Sequence, residues 1–193
     1  MSEREYLVAL YSFLAFGPAR TKLLLTYFGS AKGAWNAKEN RLLEIGLSNK
    51  IVDSFDKYRT EFDQEDYFNR LKKLSIAYTI QGDSIYPTNL RGLDDAPPVL
   101  YFKGKLKARD VNAVAIVGSR KMTSYGREVT QKLSSELASL GITIVSGLAF
   151  GVDYAAHKSA LDAGGRCIAL LAGGVDKITP RSNEWLGLSI IKS

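Results

Sequence analysis

Three glycine-bearing segments follow apolar runs in the second half of the chain: GSRKMTSYG from Gly118, SGLAFG from Ser146 and AGGVDKITPRSN from Ala172. In the first, Gly118 and Ser119 are expected to present backbone N–H groups where a strand gives way to a helix, a place suited to anions. Arg120 adds a guanidinium fork that matches two phosphate oxygens, and Lys121 adds a second cation. A surface salt bridge is the plain alternative for Arg120. Ser124 reads as a helix cap, and Tyr125 as either a core residue or a stacking surface. The dinucleotide fingerprint G-x-G-x-x-G is absent, which leaves open which phosphate the loops take and whether the chain cuts it, transfers it or only grips it.

Asp153 and His157 are spaced i, i+4 and share a helix face. His157 is the only histidine and Cys167 the only cysteine, so a metal site lacks ligands. A Ser-His-Asp arrangement could recruit Ser119 or Ser146, but the chain has no nucleophile elbow. The expected roles are structural. Asp153 complements a helix N-terminus and orients loop amides, His157 packs or hydrogen-bonds beneath the loops, and Asn183 supports them.

These loops need a scaffold. From about residue 111 the pattern is β-α-β-α-β. Val114–Val117 makes a strand, and a helix after Ser124 has Val129, Leu133, Leu137 and Leu140 as its apolar stripe. ITIVSG and CIALLAGG are further strands, and VDYAAHKSALDAGG and RSNEWLGLSII further helices. Continuous apolar strands between helices imply a parallel sheet covered on both faces, with its carboxyl-end loops lining one crevice. A sheet ending at its third strand would leave an open edge and an uncovered apolar face.

Residues 1–74 read as helices, with Ser30 and Ser48 as N-caps. Residues 75–110 form a connector with two short β-type runs, 76–80 and 99–102, separated by a turn-rich stretch. The fold class is therefore α/β: a helical domain (1–74), the connector (75–110) and a partial Rossmann-like sheet (111–193).

The 193 residues are 46% hydrophobic with a net charge of +6, an ordinary globular composition with a basic balance that suits an anionic partner. One cysteine cannot staple a fold, which points to a reducing compartment. The opening MSEREYLVALYSFLAFG reads as an amphipathic helix rather than a signal peptide, and no apolar run is long enough for a membrane span. A cytoplasmic protein with no membrane partner is expected.

Taken together, GSRKMTSYG, SGLAFGVDYAAHKSAL and GGRCIALLAGGVDKITPRSN resemble the DNA-processing protein A family, also called Smf. YPTNLRGLDDAPPVLYFKG resembles that family's approach to its Rossmann-like domain. GPARTKLLLTYFGS resembles its N-terminal helical domain, similar to sterile-alpha-motif or helix-hairpin-helix modules. The resemblance implies a protein without catalytic activity or cofactor. It would bind single-stranded DNA during natural transformation, protect it and help load the RecA recombinase, while self-association is expected from the open edge of the sheet.

The family's basic pocket maps onto Arg120, and its neighbouring glycines and serine onto Gly118, Ser119 and Gly126. Its second loop maps onto Ser146, Gly147 and Gly151. Two departures stand out. Thr179-Pro180 replaces the family's tyrosine-proline, and the family's domain continues for three or more strands where this chain stops at Ser193.

The rival reading is a nucleotide-binding or nucleotide-hydrolysing enzyme similar to the lonely guy phosphoribohydrolases. They share the Gly-Ser loop but place a catalytic glutamate in the helix after the second loop. DYAAHKSALDAGG has none. A third reading is an interaction module working through its helical domain.

Overall fold

Ser2 opens the first helix, α1 (Glu3–Tyr11), with a capping box: its side chain accepts from the Glu5 amide while the Glu5 carboxylate accepts from the Ser2 amide. Five helices follow: α2 (Pro18–Phe28), α3 (Ala31–Trp35), α4 (Glu39–Glu44), α5 (Asn49–Glu61) and α6 (Gln64–Lys73). Pro18 at N1 starts α2, and Gly29 ends it in the left-handed conformation. Ser30 caps α3 through its side chain, accepting from the Gly33 amide at 2.9 Å. Ser48 precedes α5 without a side-chain cap bond. The helices close on Leu10, Phe16, Leu24, Trp35, Leu42 and Phe55.

Next come β1 (Ala77–Ile80), the one-turn helix α7 (Thr88–Arg91) and β2 (Val99–Phe102), the two strands pairing as a small sheet. The computed structural model describes residues 1–193 and forms two units, Met1–Tyr101 and Phe102–Ser193. The boundary between the units falls within the stretch 75–110.

The second unit contains β3 (Ala113–Ala115), α8 (Ser124–Ser139), β4 (Thr143–Ser146), α9 (Val152–Asp162), β5 (Cys167–Ala169) and α10 (Glu184–Lys192). The strands are parallel in the order β3-β4-β5, with Val114 beside Ile144 and Ile144 beside Cys167. β3 is shorter than the apolar run suggests, although the Ile116 amide still donates to the Val145 carbonyl at 3.0 Å.

Because the order never reverses, right-handed crossovers place both connecting helices on one side. Residues of α8, α9 and α10 share one core with the strands: Ala138, Ile144, Ala156, Ala160, Cys167 and Leu186. The other sheet face is largely open, with Val145 and Ile168 half-buried. Ala115 is exposed, and Val117 and Leu170, just past β3 and β5, are 70% and 60% exposed. Helical cover on both faces, the pattern of a complete parallel sheet, is thus reduced to cover on one, and the open apolar face expected of a three-stranded sheet is present.

The apolar stripe expected on α8 is corrected in part: Leu137 packs against the core and Val129 is half-buried, but the rest differs. Its buried positions are Thr130, Ser134 and Ala138, while Leu133 and Leu140 face solvent. Small side chains let α8 and α9 pack closely. A Cβ at Gly165 would run into Ala138 Cβ and reach within 3.0 Å of the Ala160 carbonyl oxygen.

At the opposite end of the sheet from the loops, Arg166 ties the strand starts together. Its Nε and Nη2 donate to the Asp110 carboxylate at 2.5 and 2.8 Å, and Thr143 Oγ1 donates to the same group at 3.1 Å. Burial opposes the charge on Asp110, yet the Arg166 bonds hold its pKa below the usual carboxylate value.

Candidate functional site

The first loop leaves β3 through Gly118, whose missing side chain matters: a Cβ there would lie 2.8 Å from Val152 Cγ2 at the start of α9. Ser119 does not open a helix as expected. Its hydroxyl folds the loop on itself, accepting from the Lys121 amide at 3.0 Å and donating to the Lys121 carbonyl at 2.9 Å. The cap of α8 is Thr123, not Ser124. Thr123 Oγ1 accepts from the Gly126 amide at 3.1 Å, and Ser124 is the first helical residue. Two turn-forming hydroxyl residues stand side by side here, and only backbone geometry tells them apart.

The first loop rests directly on the second. The Val152 amide donates to the Ser119 carbonyl at 3.1 Å. Gly151 has φ +76°, and a Cβ on it would collide with the Ser119 carbonyl oxygen and lie 2.8 Å from the Arg120 carbonyl. Only glycine satisfies both the backbone angle and this approach.

Asp153 is buried behind the loops, where its Oδ2 accepts from the Gly147 amide at 3.1 Å and the Ala149 amide at 3.4 Å. Asn183, also buried, donates from Nδ2 to the Leu148 and Ala149 carbonyls at 2.9 and 3.2 Å. The third loop is thereby fastened to the second. Leu148, between these partners, holds a left-handed φ of +58°. Thr179-Pro180 in the third loop is cis.

His157 lies fully buried beneath, with neither ring nitrogen hydrogen-bonded. Burial drives its pKa down to about 4. The Ser146 backbone, near the ring but outside hydrogen-bond geometry, and Asp153 oppose this more weakly. Ser146 Oγ is buried and without a partner as well. No serine–histidine bond exists to activate a nucleophile. Burial also raises the Cys167 thiol, to about 12.

Above this packed floor lies an open basin of about 570 Å³. Arg120, Lys121, Gly151 and Asn183, all expected at the site, line it. Six lining residues were not singled out from the sequence: Met122, Tyr154, Ser182 and, with the largest charged or aromatic surfaces, Arg127, Phe150 and Trp185. Arg127 carried a faint signal, since a cation in the first turn of α8 opposes the helix dipole unless an anion sits nearby. Phe150 and Trp185 carried none, because in sequence an aromatic reads as core.

Arg120, Lys121 and Arg127 are exposed, and no carboxylate lines the basin. Tyr125 is 75% exposed but outside the lining, and Ser146 lies wholly beneath the surface. No three histidine, cysteine, aspartate or glutamate side chains converge as a metal set, and no helix is long and apolar enough to cross a membrane.

This geometry is a charged, acid-free surface on a glycine-tightened loop floor, suited to gripping a polyanion. Residues 77–193 match the family model of the DNA recombination-mediator protein A. The chain belongs to that family.

Among curated members of the DNA recombination-mediator protein A family, Protein Smf of Synechocystis sp. is 34% identical over 96% of this chain and 48% of its own length. The DNA processing protein DprA of Bacillus subtilis is 36% identical over 63% of this chain and 44% of its own. The chain thus spans about half the length of these relatives. The X-ray structure of DprA from Streptococcus pneumoniae superposes with a TM-score of 0.77 at 28% identity, covering 96% of this chain and 64% of that one. A DprA from Helicobacter pylori, whose structure is described as showing a unique single-stranded DNA binding mode, gives 0.51 at 36% identity over 59% of this chain and 51% of that one.

Proposed function

We propose that this chain binds single-stranded DNA in the basin, through phosphate contacts from Arg120 with help from Lys121 and Arg127. The observation that carries the reading is a cluster of three exposed cations on the strand-end loops with no carboxylate among the lining residues. Gly118, Ser119, Gly126, Ser146, Gly147 and Gly151 shape the loops, and Asp153, His157 and Asn183 support them. Contacts of this kind are tolerant of sequence and sensitive to salt.

The family context supports a cytoplasmic role in natural transformation, in which the bound strand is protected and passed to RecA. The open sheet face supports self-association. The protein acts by binding rather than catalysis. α9 carries no glutamate, and the one acid at its start, Asp153, is engaged by loop amides.

Gel shifts with labelled oligo-dT, run beside a nucleoside-monophosphate hydrolysis assay, test the reading. A salt-sensitive shift without release of free base is expected. Release of base without a shift would move the assignment to a nucleotide hydrolase.

A further inference from the structure

Cations and large aromatic surfaces share the basin. Phe150 is 51% exposed and Trp185 47% exposed, and both line the same wall system as Arg120, Lys121 and Arg127. The backbone beside Phe150 is set by its neighbour Gly151, which packs against the Ser119 and Arg120 carbonyls. Trp185 lies on α10 with its ring 6.2 Å from that of Tyr154 at 73°, an edge-on contact that orients it. Two large apolar side chains thus stand half in water beside the three cations.

A ligand that carries only charge, such as a duplex backbone or inorganic phosphate, would leave those rings wet. A polymer with alternating phosphates and unpaired planar faces would satisfy both parts of the lining at once. We infer that Phe150 and Trp185 form a stacking platform for unpaired nucleobases, so that the basin selects single strands over duplex by their exposed bases. This rests on the single-strand reading above and adds to it the residues that impose the selectivity. Stacking accepts every base, so the platform adds affinity without sequence preference.

The test compares oligo-dT with an abasic deoxyribose-phosphate strand of equal length, using the parent protein and the double variant Phe150→Leu/Trp185→Leu. The parent is expected to bind oligo-dT roughly ten- to a hundredfold more tightly than the abasic strand, the range for stacking one base. In the double variant this gap should shrink to about threefold or less, on the same scale, with the abasic affinity unchanged. Retained abasic binding also reports that the variant is folded.

Equal affinity of the parent for both strands, or a gap that survives in the double variant, overturns the platform while leaving the phosphate site standing. Parent protein that binds neither strand overturns the single-strand reading itself. If the double variant also loses the abasic strand, the parent's fluorescence decides, since its other tryptophan, Trp35, is buried in the helical core. Quenching by oligo-dT and not by the abasic strand supports the platform, and equal quenching by both overturns it.

Discussion

The backbone of Gly151 presses against the carbonyl oxygen of Ser119, so closely that a Cβ on residue 151 has no room. This contact couples the loop carrying Arg120 to the loop that starts α9. Gly151→Ala must therefore either distort the first loop or give up the φ of +76°. A cost of about 2–4 kcal/mol is expected from the combined strain and overlap, with weaker DNA binding beside it. Urea unfolding reads the first effect, and an unchanged midpoint would show that the loops are not locked together.

Asp153 should act through the loop amides it accepts from. Asp153→Ala leaves the Gly147 and Ala149 N–H groups without their partner, at an expected cost of about 1–3 kcal/mol. Asp153→Asn retains one acceptor oxygen and should fall between. Hydrogen exchange at those two amides should speed up in the alanine variant. Protection equal to the parent's would mean that the loop holds its shape without Asp153.

His157 sets a pH dependence of stability. Above about pH 6.5 the ring is neutral in both folded and unfolded chains and adds no slope. Below that, the unfolded chain takes up a proton that the buried ring refuses until about pH 4. Stability should thus fall as pH drops from about 6.5 to about 4 and level off below, by up to about 3 kcal/mol from this group. The difference in unfolding free energy between the parent and His157→Leu, measured across that window, isolates the effect from the carboxylates. A difference that does not vary with pH would contradict it.

The open sheet face should drive association. Val117 and Leu170 together leave an apolar surface beside unpaired strand edges. Sedimentation is expected to show mass rising with concentration in the micromolar range, and Val117→Glu/Leu170→Glu should suppress it. A parent that stays monomeric at all concentrations would remove self-association from the account.

The alternation of strand and helix was legible because glycines punctuate the apolar runs of the second half. Gly141 at the end of α8 and Gly151 before α9 both take positive φ. The loop cations were legible because Arg120 and Lys121 follow a strand directly. What hid was whatever depended on partners distant in sequence. Arg166 and Asp110, 56 positions apart, meet only in the folded sheet. Leu133 and Leu140 looked like core and lie outside, since the α8–α9 contact favours the small Ser134 and Ala138. Phe150 and Trp185 looked like ordinary apolar residues, and only their exposure beside the cations sets them apart.

The most direct test of the central claim is the affinity of Arg120→Ala for labelled oligo-dT across a salt series, with Lys72→Ala on the helical unit as its counterpart. Loss of one charged contact should weaken binding roughly ten- to a hundredfold. The salt slope should become shallower by somewhat under one unit, near the ~0.7 expected per single-strand phosphate. Arg120→Lys should recover part of the affinity, since lysine offers charge without the fork. Lys72→Ala should change little. Arg120→Ala binding like the parent while Lys72→Ala fails would place the DNA on the helical unit and contradict the site described above.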